Sequence, residues 1–226
     1  EGEKRNGHKN QSQEEKGREI MEQRSPEWYA ARLGKVTASR VADLMAKTKS
    51  GYSTRRANYM AELICERLTG KPTEGYTNGA MQWGIDTEPQ AKAAYVFLHD
   101  APVEECAFAE HGTIGSFGAS PDGLVGDDGL VEIKCPNTAT HLDFLLTKTI
   151  PGKYITQMQT QMACTGRQWC DFVSFDPRLP DSMQMWISRV KRDDALISEI
   201  EKEVTAFLAE VDGKILALNT DYGLAA

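Results

Sequence analysis

The chain has 226 residues and a formal net charge of −7; 40% of its residues are hydrophobic and 26% are charged. This length fits one well-packed domain better than two, and the composition is that of an ordinary globular protein. The sequence predicts no membrane span, which would need about 18 consecutive apolar residues, and no secretory signal. The acidic balance argues against the basic stripe of most nucleic-acid-binding proteins, although net charge says little about the field inside a cleft.

The first 24 residues are polar and carry six acidic and six basic side chains. A segment of this composition cannot bury a hydrophobic core. We therefore predict that residues 1–24 are a disordered tail, or a segment foreign to the native protein, and that residues 25–226 form the domain.

Patterns in the first hundred residues predict four helices. The first begins at Ser25-Pro26-Glu27 and the second at Thr37-Ala38-Ser39. The third spans Arg55–Leu68 and the fourth spans Gly79–Leu98. Serine is a favoured N-cap and proline suits the first helical position, while Gly70 is a typical stop for the third helix. Gly84 and Pro89 are expected to bend or break the fourth helix.

Short apolar runs separated by Gly, Asp and Pro follow and predict strands. The strands are expected at Val103–Ala109, Gly115–Ala119, Gly123–Val125, Leu130–Cys135, Trp169–Phe175 and Gln184–Val190, and further helices at Thr138–Leu146, Lys153–Cys164 and Asp193–Leu218. This order predicts a single α/β or α+β domain in which helices flank a mixed central sheet.

The five cysteines form no CxxC pair and have no regular histidine spacing. They are Cys65, Cys106, Cys135, Cys164 and Cys170. This pattern argues against a disulfide framework and a structural zinc site, and it favours reduced thiols in a cytoplasm.

Two carboxylates and a lysine are expected to meet on one predicted hairpin. The turn at 126–129 joins two strands, so that Asp122 comes to lie beside Glu132. Glu132 and Lys134 are two residues apart in a strand and therefore share a face, whereas Ile133 points to the opposite face, into the core.

This trio suits phosphodiester hydrolysis. Mg²⁺ in proteins is held by a few carboxylates and several waters, and it activates both a water nucleophile and a phosphate. Asp122 and Glu132 are the candidate ligands, with the carbonyl of Ile133 as a further one. Lys134 is the candidate to orient or deprotonate the attacking water and to offset charge on the phosphate.

The same residues also permit a simpler interpretation. An aspartate followed by Glu-x-Lys is common, and a salt bridge on an exposed hairpin would give the same pattern. The charges lie in an otherwise apolar strand, where burying them without a task is costly. That setting favours the metal site.

The wider sequence resembles the phage lambda exonuclease family, the YqaJ-type viral recombinases, within the PD-(D/E)xK nuclease superfamily. Ser120-Pro121-Asp122-Gly123 and Glu132-Ile133-Lys134 match the superfamily motif, and residues 28–39 match the W-x-x-x-R-x-G-x-x-T-A-S signature. Trp83-Gly84 with Glu88 matches WG-x-x-x-E, and Gln157-Met158-Gln159 matches Q-x-Q. The resemblance covers about residues 25–190 and implies a restriction-endonuclease-like core.

The resemblance also implies roles at the cleavage site. Glu88 would be a further metal ligand or would hold a metal-bound water, and Gln157 would contact the attacking water or Lys134. Asp122 and Glu132 would be the principal ligands of Mg²⁺, with two ions expected and Mn²⁺ as a substitute.

A pocket for the 5′-phosphate of a DNA end is implied at Arg32, Ser39 and Ser120. An arginine fork suits phosphate oxygens, and the start of the second predicted helix offers free N–H groups. Lys49 falls where a relative carries arginine, which keeps the positive charge but loses the fork.

The implied function is digestion of one strand of linear double-stranded DNA from a 5′-phosphorylated end, in the 5′-to-3′ direction. Mononucleotides would be released, and a 3′ overhang would be left for a single-strand annealing protein in phage-type recombination. The resemblance further implies a homotrimeric ring around DNA, which would explain how an acidic chain holds its substrate, and a phage or prophage origin in a bacterial cytoplasm.

Two alternatives remain open at this point. The same metal site would serve a restriction or repair endonuclease, since metal ligands alone do not define where a strand is cut. A non-catalytic module that binds DNA ends through a relic site is the other alternative. The Arg32, Ser39 and Ser120 set is the feature that separates the first alternative from an end-dependent exonuclease.

Overall fold

The computed structural model describes residues 22–49, 51–73, 78–100 and 102–223. Residues 1–21 of the predicted tail lie outside this part of the chain. The helices are α1 Pro26–Arg32, α2 Ala38–Leu44, α3 Thr54–Thr69, α4 Gly79–His99, α5 Thr138–Thr147, α6 Gly152–Thr165 and α7 Asp194–Tyr222, with a short 3₁₀ turn at Asp181–Met183.

The strands form three sheets. They are β1 Val36–Thr37, β2 Lys47–Thr48, β3 Gly51–Tyr52, β4 Val103–Glu104, β5 Ala109–Glu110, β6 Phe117–Ala119, β7 Gly123–Val125, β8 Gly129–Lys134, β9 Trp169–Phe175 and β10 Met185–Lys191. The largest sheet has the order β10-β9-β8-β7-β4, in which only β8 and β9 are parallel. A second sheet has the order β1-β6-β5, and β2 pairs with β3. The predicted mixed α/β architecture is confirmed.

Helices cover both faces of the five-stranded sheet. On one face Tyr95 of α4 packs in a buried cluster with Ile133 of β8, and on the other Met158 of α6 packs with Leu130 of β8. Consecutive side chains of β8 therefore point to opposite faces of the sheet, as the two-residue period of a strand predicts. Glu132 lies on the α6 side and Ile133 on the α4 side.

A third buried cluster joins α2, α3 and α7 around the smaller sheet. It contains Leu44 of α2, Leu63 of α3, Phe117 of β6 and Phe207 of α7. This packing attaches the first three helices to the end of the central sheet, and it places Arg32 and Ser39 near the strand that precedes Ser120. None of the helices in the described part of the chain is both long and apolar enough to cross a membrane.

The helix ends follow the sequence signals closely. The hydroxyl of Ser25 accepts a hydrogen bond of 3.2 Å from the backbone N–H of Trp28 and caps α1. Gly70 and Gly166 end α3 and α6 with left-handed φ values of 65° and 74°, the conformation that glycine adopts at least cost.

Two local predictions were wrong. Pro89 neither breaks nor ends α4, which continues to His99. The carbonyl left without a helical donor belongs to Ile85, on the exposed side of the helix, where water can reach it, and packing of the opposite side against β8 holds the helix together. The run 103–109 is not one strand: its two ends form β4 and β5, which belong to different sheets.

Candidate active site

The β7–β8 hairpin brings the predicted carboxylates together. Gly123 pairs with Val131, so Asp122, which precedes β7, lies beside Glu132. The backbone N–H of Ile133 donates a hydrogen bond of 2.6 Å to Asp122 Oδ2. The carboxylate of Asp122 is thereby fixed to the strand between Glu132 and Lys134, as the sequence predicts.

Glu132 is the most constrained member of the trio. Its side chain is fully buried and forms an ion pair with the Nζ atom of Lys134. Gln157 donates a hydrogen bond of 2.7 Å to Oε1, and Gln161 donates one of 2.5 Å to Oε2. A buried carboxylate is tolerable only when its oxygens are satisfied in this way.

The two glutamines of the Q-x-Q motif have different tasks. Gln157 contacts Glu132, whereas Gln159 donates to the carbonyl of Lys191 at 2.8 Å and accepts from the backbone N–H of Asp193 at 2.9 Å. Gln159 thus fixes the start of α7. Sequence reasoning missed Gln161, although a signal for it existed, because Gln157 and Gln161 are four residues apart and share a helix face.

Burial and neighbouring charges shift the pKa values of Asp122 and Lys134. Burial, followed by the nearby charges of Glu132 and Glu88, raises the pKa of Asp122 well above its ordinary value, against the opposing effect of Lys134. Burial alone would lower the pKa of Lys134, but Glu132 and Asp122 outweigh it and the pKa is raised. Lys134 therefore carries its positive charge beside the two carboxylates in the metal-free protein.

Glu88 reaches the same site from α4. It lines a cavity of about 360 Å³ together with Asp122, Lys92 and Cys106. Its Oε2 atom accepts a hydrogen bond of 2.6 Å from Arg24, a residue with no predicted role. The structure thus gathers Asp122, Glu132, Lys134, Gln157 and Glu88, all of the predicted cleavage-site side chains.

The donor set fits a hard divalent cation, although it is not a closed cage. Within the described ranges, no three His, Cys, Asp or Glu side chains converge closely enough to enclose a metal ion. Mg²⁺ does not need such a cage, because one or two carboxylates and retained waters are its usual ligands. The available donors are carboxylate and carbonyl oxygens, and a divalent cation would offset the burial and the nearby charges of Glu132 and Glu88 that raise the pKa of Asp122.

The second predicted site is built around Arg32. Its guanidinium lies 4.0 Å from the ring centroid of Trp28 and donates a hydrogen bond of 3.0 Å to the hydroxyl of Ser120. The indole N–H of Trp28 donates to the same hydroxyl at 3.0 Å. Burial lowers the pKa of Arg32, as expected for a poorly hydrated guanidinium. Trp28, for which the sequence analysis predicts no role, thus contacts both Arg32 and Ser120.

Gly34 explains how the chain turns from α1 into β1 beside this site. Its φ is +67°, and a Cβ atom there would lie 2.8 Å from Cγ of Arg67. The backbone N–H of Gly34 donates to Glu66 at 2.9 Å, and its carbonyl accepts from Arg67 at 2.8 Å. Only glycine fits this turn, which sets the position of Arg32 relative to Ser39.

The predicted phosphate set is only partly assembled. Arg32 and Ser39 line one cavity of about 920 Å³, together with Lys35 and Arg40. Ser120 joins the set through its bond to Arg32. Lys49 is exposed just after β2 and, among the described residues, is not one that lines this cavity.

Comparisons with known proteins show a family and a fold for this chain. The family model of the YqaJ-like viral recombinase domain matches residues 27–168. The crystal structure of LHK-Exo, an alkaline exonuclease from Laribacter hongkongensis, shares 58% identity at a TM-score of 0.82, covering 87% of this chain and 97% of that one. LHK-Exo in complex with dAMP shares 59% identity with the same TM-score and coverage.

A more distant structure shares the fold alone. The phage related exonuclease from Haemophilus somnus 129PT is 18% identical, with a TM-score of 0.68, and the match covers 81% of this chain and 96% of that one. No curated protein sequence is similar enough to match.

Proposed function

Because the chain belongs to the YqaJ-like viral recombinase family, we propose that it is a metal-dependent exonuclease that degrades double-stranded DNA from a phosphorylated end. One observation carries this proposal. Ser120, bonded to Arg32, and Asp122, bonded to the backbone of β8, are separated by Pro121 alone. Two residues of extended chain span about 7 Å at most, so an end phosphate held at Arg32 would lie close to the carboxylates.

The chain's own residues divide the chemistry between them. Asp122, Glu132, Glu88 and the carbonyl of Ile133 would hold the metal ions. A bound Mg²⁺ ion supplies Lewis-acid activation of a phosphate and a water of lowered pKa. Lys134, as an ammonium, orients the nucleophile and offsets charge that develops on the phosphate.

The anion pocket is the feature that favours an exonuclease over an endonuclease. A carboxylate and lysine site hydrolyses a phosphodiester wherever the strand is presented. A half-buried arginine stacked on Trp28 and bonded to Ser120 is suited to a terminal phosphate, which carries more charge and exposes more oxygens than an internal one.

Polarity, products and assembly complete the proposal. Binding of a 5′-phosphate gives 5′-to-3′ digestion of one strand, release of mononucleotides and a 3′ overhang for a single-strand annealing partner. The complex of LHK-Exo with dAMP supports a mononucleotide product. A homotrimeric ring in the cytoplasm of a bacterial host would let a chain of net charge −7 hold DNA by enclosing it.

The test is digestion of three DNA substrates in Mg²⁺. Linear duplexes with 5′-phosphate and 5′-hydroxyl ends are compared with a closed circle of the same sequence. We expect rapid release of mononucleotides from the phosphorylated duplex, slower release from the hydroxyl form, and an intact circle. Chelation by EDTA should stop all digestion. Cutting of the circle at the linear rate would contradict end dependence.

A further inference from the structure

The residues just before α1 are bound to the candidate active site. The side-chain amide of Gln23 donates to the carbonyl of Cys106 at 2.9 Å and to the carbonyl of Pro121 at 2.7 Å. Pro121 immediately precedes Asp122. Gln23 therefore anchors this segment to the loop that carries a predicted metal ligand.

Arg24 follows this anchor in an unusual backbone conformation. Its φ is +71°, in the left-handed region that non-glycine residues rarely adopt and that is concentrated at functional sites. From there its guanidinium reaches Glu88, 64 residues away, with Nη2 at 2.6 Å from Oε2. Ser25 caps α1 on the other side of Arg24, so the backbone is fixed at both ends.

The bond to Arg24 occupies the Oε2 atom of Glu88 and does not involve the Oε1 atom. Within the described residues, no hydrogen-bond donor contacts Glu88 Oε1 or Asp122 Oδ1. Both carboxylates line the 360 Å³ cavity. Glu88 and Asp122 thus each have one oxygen held by a protein donor and a second oxygen available to a cation, unlike Glu132, whose two oxygens are both held.

We propose that Arg24 is a positioning residue that holds Glu88 by Oε2 so that Oε1 is presented to a divalent cation near Asp122. This inference rests on the proposed function, because it assigns Glu88 to the metal site. Hydrogen-bond partners of metal-binding carboxylates fix their orientation, and their loss typically weakens metal affinity about 10- to 100-fold.

The opposite role for Arg24 would be competition with the metal for Glu88. A competitor would need to leave the carboxylate when the ion binds. The single Nη2 contact occupies only one oxygen, and the anchors at Gln23 and Ser25 keep the segment in place. These features favour positioning, and the two roles predict metal affinities that change in opposite directions.

The experiment measures Mn²⁺ binding to the full chain without DNA, by the electron paramagnetic resonance signal of free Mn²⁺. We expect Arg24→Ala to raise the dissociation constant about tenfold, and Arg24→Lys to have a smaller effect. Arg192→Ala is the matched control, because Arg192 forms an equally short 2.6 Å ion pair with Asp194 away from the predicted ligands. In a Glu88→Gln background, Arg24→Ala should cause no further loss.

The outcomes separate this inference from the proposed function. Unchanged or tighter Mn²⁺ binding in Arg24→Ala, with wild-type thermal unfolding, would overturn the positioning role. If Arg24→Ala does not fold, the same comparison is decided by Arg24→Lys, which keeps the charge but loses the planar fork. A wild-type chain that binds Mn²⁺ but digests no DNA would overturn the proposed function and leave the Arg24 measurement valid.

Discussion

The guanidinium of Arg32 donates a hydrogen bond of 3.0 Å to the hydroxyl of Ser120, which lies 88 residues further along the chain. This bond joins the first helix to the loop that carries Asp122. It therefore connects the proposed anion pocket to the proposed metal site, and it makes the two sites experimentally separable: one can be removed while the other stays intact.

Arg32→Ala is expected to remove selectivity for phosphorylated ends. A hydrogen bond to a charged group contributes about 1.5–3 kcal/mol, so the rate on a 5′-phosphorylated duplex should fall about 10- to 100-fold. The rate on a 5′-hydroxyl duplex should change much less. Arg55→Ala, at an exposed position on α3, is the control. Equal losses on both substrates would show that Arg32 serves the fold or general DNA binding instead.

Asp122→Asn should make the metal-free protein more stable and inactive. Asparagine keeps an acceptor for the N–H of Ile133 and removes a charge whose pKa is raised by burial and by Glu132. We expect a gain of about 1–2 kcal/mol in the free energy of unfolding in urea, the usual scale for relieving active-site strain. Activity should fall more than about 100-fold, since even outer partners of metal ligands are worth that much.

The control for this change is Asp127→Asn, on the exposed turn of the same hairpin. It should alter neither stability nor activity. A destabilised Asp122→Asn protein would mean that the carboxylate is needed for the fold. It would contradict the expectation that the charge of Asp122 lowers the stability of the metal-free protein.

The central features of the site could be predicted because they are local in sequence. The turn at 126–129 sets the hairpin register, and the register places Asp122 beside Glu132. The period of two in β8 puts Glu132 and Lys134 on one face. Each of these steps depends on a few consecutive residues, so no knowledge of distant packing was needed.

The features that escaped prediction depend on contacts between distant segments. Gln161 acquires a role only because α6 packs over β8, and Arg24 only because the segment before α1 lies against α4. The run 103–109 is divided between two sheets by its partners, and two-residue strands leave no periodic signal. In each case tertiary packing outweighs local preference.

Gln161→Ala is expected to impair metal binding as well as stability. It removes the donor to Glu132 Oε2, which is fully buried, and an unsatisfied buried acceptor costs about 1–3 kcal/mol. The Mg²⁺ concentration that gives half-maximal rate should rise, because the carboxylate loses one of the contacts that orient it. Chemical denaturation and the Mg²⁺ dependence of digestion measure the two effects.

Gln159→Ala on the same helix is the matched comparison. Gln159 contacts the carbonyl of Lys191 and the N–H of Asp193, not Glu132. Its loss should reduce stability by a similar amount and leave the Mg²⁺ dependence unchanged. If both variants shift the Mg²⁺ dependence equally, Gln161 acts through general stability and not through Glu132.

Asp176 should make part of the stability depend on acidic pH. Its side chain is buried, and although burial alone would raise the pKa, hydrogen bonds from Arg178 and Thr138 lower it from 3.8 to about 2. A carboxyl with a lowered folded-state pKa stabilises the protein above its unfolded-state pKa, and the contribution is lost as the pH falls from about 4 towards 2. Because Arg178 is partly exposed and screened by water, we expect about 1 kcal/mol.

The variant that tests this is Asp176→Asn, with the exposed Asp143→Asn as control. The free energy of unfolding of Asp176→Asn should lie below that of the wild type near neutral pH. The gap should shrink as the pH falls from about 4 towards 2, because the unfolded wild-type chain binds a proton at Asp176 before the folded protein does. A gap that stays constant with pH would assign the loss to packing.

Arg178 also stacks 4.2 Å from the ring centroid of Trp83 on α4, the helix that carries Glu88. Because Asp176 orients Arg178, we expect Asp176→Asn also to weaken this stacking and to raise the Mg²⁺ concentration for half-maximal digestion.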